Sequence, residues 1–177
     1  NNHADTGDGS GGGGIKASTG SNPLIQGNTI TNNTCYQKGG GIHVHEASAE
    51  IYANTISCNT SSGHFQATGG GIGASFSVNL TIEGNHIEGN TTTFAGGGIS
   101  VYGGNGDIID NDIIENDGGA FAGGVHVESK TDYGDFIFRI NGNYIYSNTA
   151  LNGGGIHSYM HETESYVEIM NNRIIEN

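Results

Sequence analysis

Apolar and polar residues alternate along this chain in short runs. Ile42-His43-Val44-His45 and Val125-His126-Val127-Glu128 place an apolar side chain at every second position, the period of a β-strand with one face covered and the other open. No segment has the ten or more residues of Ala, Leu, Glu and Lys that a helix needs. Two phrases organise the strands, and each occurs six times in the same order. The first is a glycine run ending in an apolar residue, at Ile15, Ile42, Ile72, Ile99, Val125 and Ile156. The second is I-x-x-N-x-I-x-x-N, opening at Ile25, Ile51, Ile82, Ile108, Ile140 and Ile169. Ile15 and Ile156 are 141 residues apart over five intervals, a mean period of about 28. Self-similarity at that period predicts a solenoid with one coil per repeat. Glycine, Asn and Asp separate the strands, so each coil reads as strand, turn, strand, turn. Stacked in register, such coils make parallel sheets. The expectation is an all-β parallel β-helix of about six coils, a single domain over residues 1–177 without recognisable caps.

The columns follow from the register. Ile15, Ile42, Ile72, Ile99, Val125 and Ile156 stack inward, as do Ala17, Val44, Ala74, Val101, Val127 and Ser158. The second strand adds Ile30, Ile56, Ile87, Ile113, Ile145 and Ile174. Two Asn columns accompany them. One is Asn28, Asn54, Asn85, Asn111, Asn143 and Asn172; the other is Asn33, Asn59, Asn90, Asn116, Asn148 and Asn177. An inward or corner Asn can bond the Asn of the next coil and the turn backbone, so both columns read as structural ladders. Repeated copies argue for scaffolding rather than catalysis.

The run I-x-x-N-x-x-x-x-x-GGGI, as in ITNNTCYQKGGGI, IYSNTALNGGGI and IIENDGGAFAGGV, resembles the repeat of the polymorphic outer membrane proteins of Chlamydia. It is also similar to right-handed parallel β-helix repeats in secreted and surface proteins of the pectate-lyase-like superfamily. The resemblance covers essentially the whole chain. It departs from the chlamydial form in opening with Ile rather than Phe, and in having GGGI where GGAI is commoner. A right-handed coil and an extracellular or cell-surface setting are what the resemblance implies. Function is not, because such repeats serve adhesins, stalks and carbohydrate-active enzymes alike.

Charge narrows the partners. Eighteen Asp and Glu against five Lys and Arg give a formal net charge of −13. That surface repels nucleic acid and anionic lipid, and it attracts divalent cations such as calcium. No apolar run approaches 18 residues, so no helical membrane span is expected. No signal peptide opens the sequence at Asn1, which suggests a mature or excised chain.

Candidate chemistry is sparse. Lyases of the resembled superfamily imply Lys or Arg beside an acidic calcium site, yet Lys16, Lys38, Lys130, Arg139 and Arg173 form no evident cluster in sequence. A glycoside hydrolase needs two carboxylates across a cleft; Asp110 and Asp112, two apart on an expected strand, are the candidate catalytic pair, among Asp107 and Glu115. On the outward face of the first strand, His126 and His157 are expected about 5 Å apart in adjacent coils. With Glu128 they make a candidate zinc site; the competing reading is tolerated exposed histidines on a flat β face. His43 and His45 form a second pair. The polar columns beginning at Thr29 and Thr31 are interrupted by charges, which excludes a regular ice-matching face.

The connection between the two phrases is 9 or 10 residues in four repeats, but 15 after Val125 and 13 after Ile156. Both insertions fall in the same turn. Tyr133, Phe136, Phe138, Tyr159 and Tyr166 there form either an aromatic ridge or a cover over the core, and another loop carries His64 and Phe65. Cys35 and Cys58 differ by three positions around the coil, an offset that favours separate thiols over a disulfide. Asn1-Asn2 and Asn177 fall at corresponding points of the repeat. End-to-end stacking of copies into a filament, or excision from a longer surface protein, both fit that phase. Three readings emerge: an extracellular structural or adhesive solenoid that self-associates, a polysaccharide-active enzyme or carbohydrate-binding β-helix, and a metal-binding surface module.

Overall fold

The computed structural model describes residues 2–4, 11–63, 68–130, 136–161 and 164–177. All its regular structure is β, paired in parallel. The opening strands stack as Ile15–Ala17, Ile42–His45, the start of Ile72–Glu83, the start of Ile99–Ile109, Val125–Glu128 and Ile156–Tyr159. A second sheet, six strands deep, runs from Thr29–Thr31 to Arg173–Ile175. The register is constant: Ile42 pairs with Ile72, Ile72 with Ile99, Ile99 with Val125 and Val125 with Ile156.

Among the described residues, four coils have an additional strand within the second phrase. The first Ile of I-x-x-N-x-I-x-x-N lies on its own strand, as in Leu24–Gln26, Glu50–Tyr52, Ile137–Asn141 and Tyr166–Met170. The reason is local. The residue just before each ladder Asn is left-handed: Gly27, Ala53, Gly84, Asp110, Gly142 and Asn171 at the first corner, and Asn32, Cys58, Gly89, Glu115, Ser147 and Glu176 at the second. One residue at positive φ turns the chain sharply, and the phrase folds as two short strands around a corner. In the coils of Ile72 and Ile99 the strands before this corner merge into longer ones, with a register shift between Ser77 and Leu80. A short fourth edge, including Thr34–Cys35, Thr60–Ser61 and Thr91–Thr92, closes the coil.

The glycine run answers two demands. Gly96 sits at φ 69°, which an L side chain rarely adopts. A Cβ on Gly97 would stand 2.5 Å from the Asp117 carbonyl carbon, so the backbones touch there.

The core is a thin column of Ile and Val. Ile42, Ile72, Ile99, Val125, Ile51, Ile82 and Ile108 are all fully buried. Ser158, read as inward, is exposed in the last described coil. The longer connection after Val125 contributes Phe136 and Phe138, which are buried and stacked at 5.5 Å. They cover the core and do not form a ridge. Tyr159 and Tyr166 are exposed, while Tyr133, His64 and Phe65 lie outside the described residues.

Hydrogen bonds run along both Asn columns. The backbone N–H and the Nδ2 of each Asn before the last in its column donate to Oδ1 of the Asn one coil on. The second Nδ2 hydrogen of Asn90, for instance, goes back to the Ile56 carbonyl at 2.8 Å. Asn2 adds a rung through its N–H and Nδ2 to Asn33 Oδ1. Cys35 is a buried free thiol whose pKa burial pushes up, against bonds from Ser61 and the backbone. Cys58 is a separate, exposed free thiol.

A candidate ligand-binding cleft on the first sheet

The outward positions of the first sheet form one continuous row. Parallel register sets His43 beside Gly73, Gly73 beside Ser100, Ser100 beside His126 and His126 beside His157. Two residues further along each strand, Ser75, Tyr102, Glu128 and Tyr159 form a second row. The edge preceding the glycine run stacks too, as Lys38, Thr68, Ala95, Phe121 and Asn152. The left-handed glycine reverses the chain, and this edge leans back over the outer face of the strands. The result is a cleft of about 380 Å³ lined by Lys38, Thr68, Phe94, Ser100, Tyr102, His126 and Glu128.

That overhang corrects the expectation of exposed histidines. His43 and His126 are 3% and 4% exposed. Phe121 lies 6.3 Å from the His126 ring and 4.9 Å from the His157 ring, centroid to centroid. The two imidazoles are stacked 5.2 Å apart. The basic residues, scattered in sequence, also converge. Lys38 and Lys130 place their ammonium groups 5.6 and 5.7 Å from the centre of the Tyr102 ring, and the charges of Lys38 and Lys16 both act on His43. Three of the five Lys and Arg residues thus serve one face.

A hydrogen-bonded chain of titratable groups closes one end of the cleft. Glu128 Oε2 is 3.3 Å from His126 Nε2, and its Oε1 is 3.0 Å from His161 Nε2. His126 Nδ1 is 3.2 Å from His157 Nδ1. An ionised carboxylate only accepts, so Glu128 takes N–H bonds from His126 and His161. Burial pushes the Glu128 carboxyl up, but the bonds and charges of His126 and His161 outweigh it, leaving it below the ordinary range. Burial lowers His157, the His126 ring adds to this, and Glu128 opposes. Burial lowers Lys38. His43 is held down to about 3, first by burial and then by the charges of Lys38, Lys16 and His45.

Sequence-derived site residues fall out differently. His126, Glu128 and His157 are adjacent, but His126 commits one ring nitrogen to each of the other two, so the three do not converge on a common point. Among the described residues no three His, Cys, Asp or Glu side chains are grouped to hold a metal ion. Asp110 and Asp112 do not share a strand face. Asp110 is the left-handed corner residue, and Asp112 opens the next strand on another sheet. Asn111, turned into the ladder, separates them, and both carboxylates are exposed. Sequence reasoning missed Lys38, Ser100, Tyr102 and His161 as neighbours of the His126–Glu128 pair. The outward alternation of Ser100 and Tyr102 was the available signal; nothing local pointed to Lys38 or His161.

The fold and the cleft define a parallel β-solenoid with a lateral groove. The family described as "Right handed beta helix region" matches residues 3–177, and the chain belongs to it. Neither the curated proteins nor the solved structures contain a match.

Proposed function

We propose that this chain is an extracellular adhesive solenoid that binds an acidic glycan in the cleft of the first sheet. The convergence of Lys38 and Lys130 on Tyr102 carries the reading. A chain of net charge −13 repels anions in general, so setting Lys38 in the cleft wall and a second cation, Lys130, against the ring of Tyr102 favours an anionic group at that place. The cleft also offers the rings of Phe94 and Tyr102 to the C–H faces of a sugar, with Phe76 edge-on to Tyr102 at 5.5 Å. It is open along a repeating face, where a polymer can cross several coils. The extracellular setting is supported by the likeness of the repeats to those of secreted and surface proteins.

Calorimetry with oligogalacturonate, oligoalginate and a neutral cello-oligosaccharide tests this. Binding is expected for at least one acidic oligomer, weakening with added salt. Lys38→Ala and Tyr102→Ala should each reduce affinity roughly tenfold, the equivalent of about 1.4 kcal/mol. Equal affinity for the neutral oligomer, or indifference to both substitutions, would overturn the reading.

A further inference from the structure

We infer that Ser100 is the specificity contact of the cleft, its hydroxyl held to engage a sugar hydroxyl of the bound glycan; this rests on the glycan reading above. Ser100 is 1% exposed and lines the cleft, yet its Oγ has no hydrogen-bond partner among the described residues. A buried hydroxyl without a partner is costly, and native proteins seldom keep one without a reason. The neighbours in its column explain why the fold cannot satisfy it. On one side is Gly73, which has no side chain; a Cβ there would stand 2.7 Å from the Gly39 nitrogen, so the backbone closes that end. On the other side is His126, whose two ring nitrogens are engaged by Glu128 and His157. The Oγ is therefore left without a partner in the wall of the cleft.

Its setting specifies the ligand chemistry. Register places Ser100 and Tyr102 on one strand opposite His126 and Glu128 on the next. These four outward groups mark a rectangle of about 4.8 Å by about 6.8 Å, from the strand spacing and twice the rise per residue. That patch suits one pyranose residue. Glu128 uses one bond at each oxygen for histidine, and carboxylate oxygens have capacity for further donors. Ser100 both donates and accepts. A sugar presenting neighbouring hydroxyls can donate to Glu128 and exchange a hydrogen bond with Ser100, while a carboxylate on the same or the next residue meets Lys38. A site built to pair a ligand hydroxyl discriminates strongly against a ligand lacking it.

The test separates a ligand contact from a structural one. Ser100→Ala should leave the melting temperature unchanged or raise it, because it removes a buried hydroxyl that the unliganded fold does not use. The same variant should bind the acidic oligosaccharide found with the unaltered chain about tenfold more weakly. Ser100→Thr, which restores the hydroxyl, should recover part of the affinity. A lowered melting temperature in Ser100→Ala would mean that the hydroxyl already has a structural partner and would overturn the inference. Unchanged affinity in Ser100→Ala, with the unaltered chain still binding, would overturn it while leaving the glycan reading intact. No binding by the unaltered chain to any acidic oligosaccharide would sink the glycan reading and this inference with it.

Discussion

Replacing Asn90 with Ala is expected to destabilise the protein by about 4 kcal/mol, a large part of the 5–15 kcal/mol that typically holds a domain together. Asn90 is fully buried, and its side chain joins three coils. Its Oδ1 accepts from the Asn59 N–H at 2.9 Å and from Asn59 Nδ2 at 3.0 Å. Its Nδ2 donates to the Ile56 carbonyl at 2.8 Å and to Asn116 Oδ1 at 3.0 Å. Truncation strands donors on Asn59 and an acceptor on Ile56 in the buried interior. Each stranded group costs on the order of 1–3 kcal/mol, more than a satisfied bond contributes. Asn90→Asp should be worse, since it turns an ionised oxygen towards the Ile56 carbonyl and Asn116 Oδ1 in a buried site. Asn28 is the comparison. It stands in the other column, is exposed, and donates from Nδ2 to Gln26 and Asn54. Asn28→Ala should cost only about 1 kcal/mol. Urea midpoints for the three variants measure the difference; equal losses at positions 28 and 90 would show that the buried ladder is not what makes Asn90 matter.

Acidification should weaken the fold through His43, well before carboxylate protonation dominates. In the folded chain this imidazole stays neutral down to about pH 3, against an ordinary value of 6.5. Between those values the unfolded chain takes up a proton that the folded chain refuses. Stability therefore falls as pH drops through that window, by about 1.4 kcal/mol per pH unit from this residue. The loss should reach roughly 3 kcal/mol by pH 4. The geometry agrees with the direction: the ring is 3% exposed, its Nε2 lies 3.3 Å from Ser75 Oγ, and Lys38 and Lys16 disfavour a further positive charge. Glu128 adds a separate loss lower down, since its depressed carboxyl contributes stability that disappears as it protonates. His43→Gln removes the titration and keeps a polar side chain beside Ser75. Its denaturation midpoint should change much less between pH 7 and pH 4 than that of the unaltered chain. Parallel curves for the two proteins would rule His43 out as the origin of the acid sensitivity.

The architecture was legible in the sequence because it is built from near neighbours. The alternation at Ile42-His43-Val44-His45 states a strand, and the recurrence of Ile15, Ile42, Ile72, Ile99, Val125 and Ile156 states which residues must lie above one another. Parallel register then turns any repeated position into a column, whatever the lengths of the intervening turns. The corner inside I-x-x-N was less visible. Its left-handed residue is Gly in Gly27, Gly84 and Gly142, but Ala at Ala53 and Asp at Asp110, so composition alone did not mark a turn that backbone geometry imposes.

The cleft, by contrast, was decided by tertiary structure. Lys38, Tyr102 and Lys130 belong to different coils and adjoin only because stacking brings those coils within side-chain reach. Alternation says that His126 points away from the core, and it does. It cannot say that Phe121, from the preceding edge, leans over the same face and buries the imidazole. Nor does spacing reveal that His161, beyond the last outward residue of its strand, returns to Glu128. A repeat determines which residues share a column, because that depends only on phase along the chain. Which columns enclose a space depends on how turns of unequal length fold back over the sheet, and that is settled only when the whole coil closes.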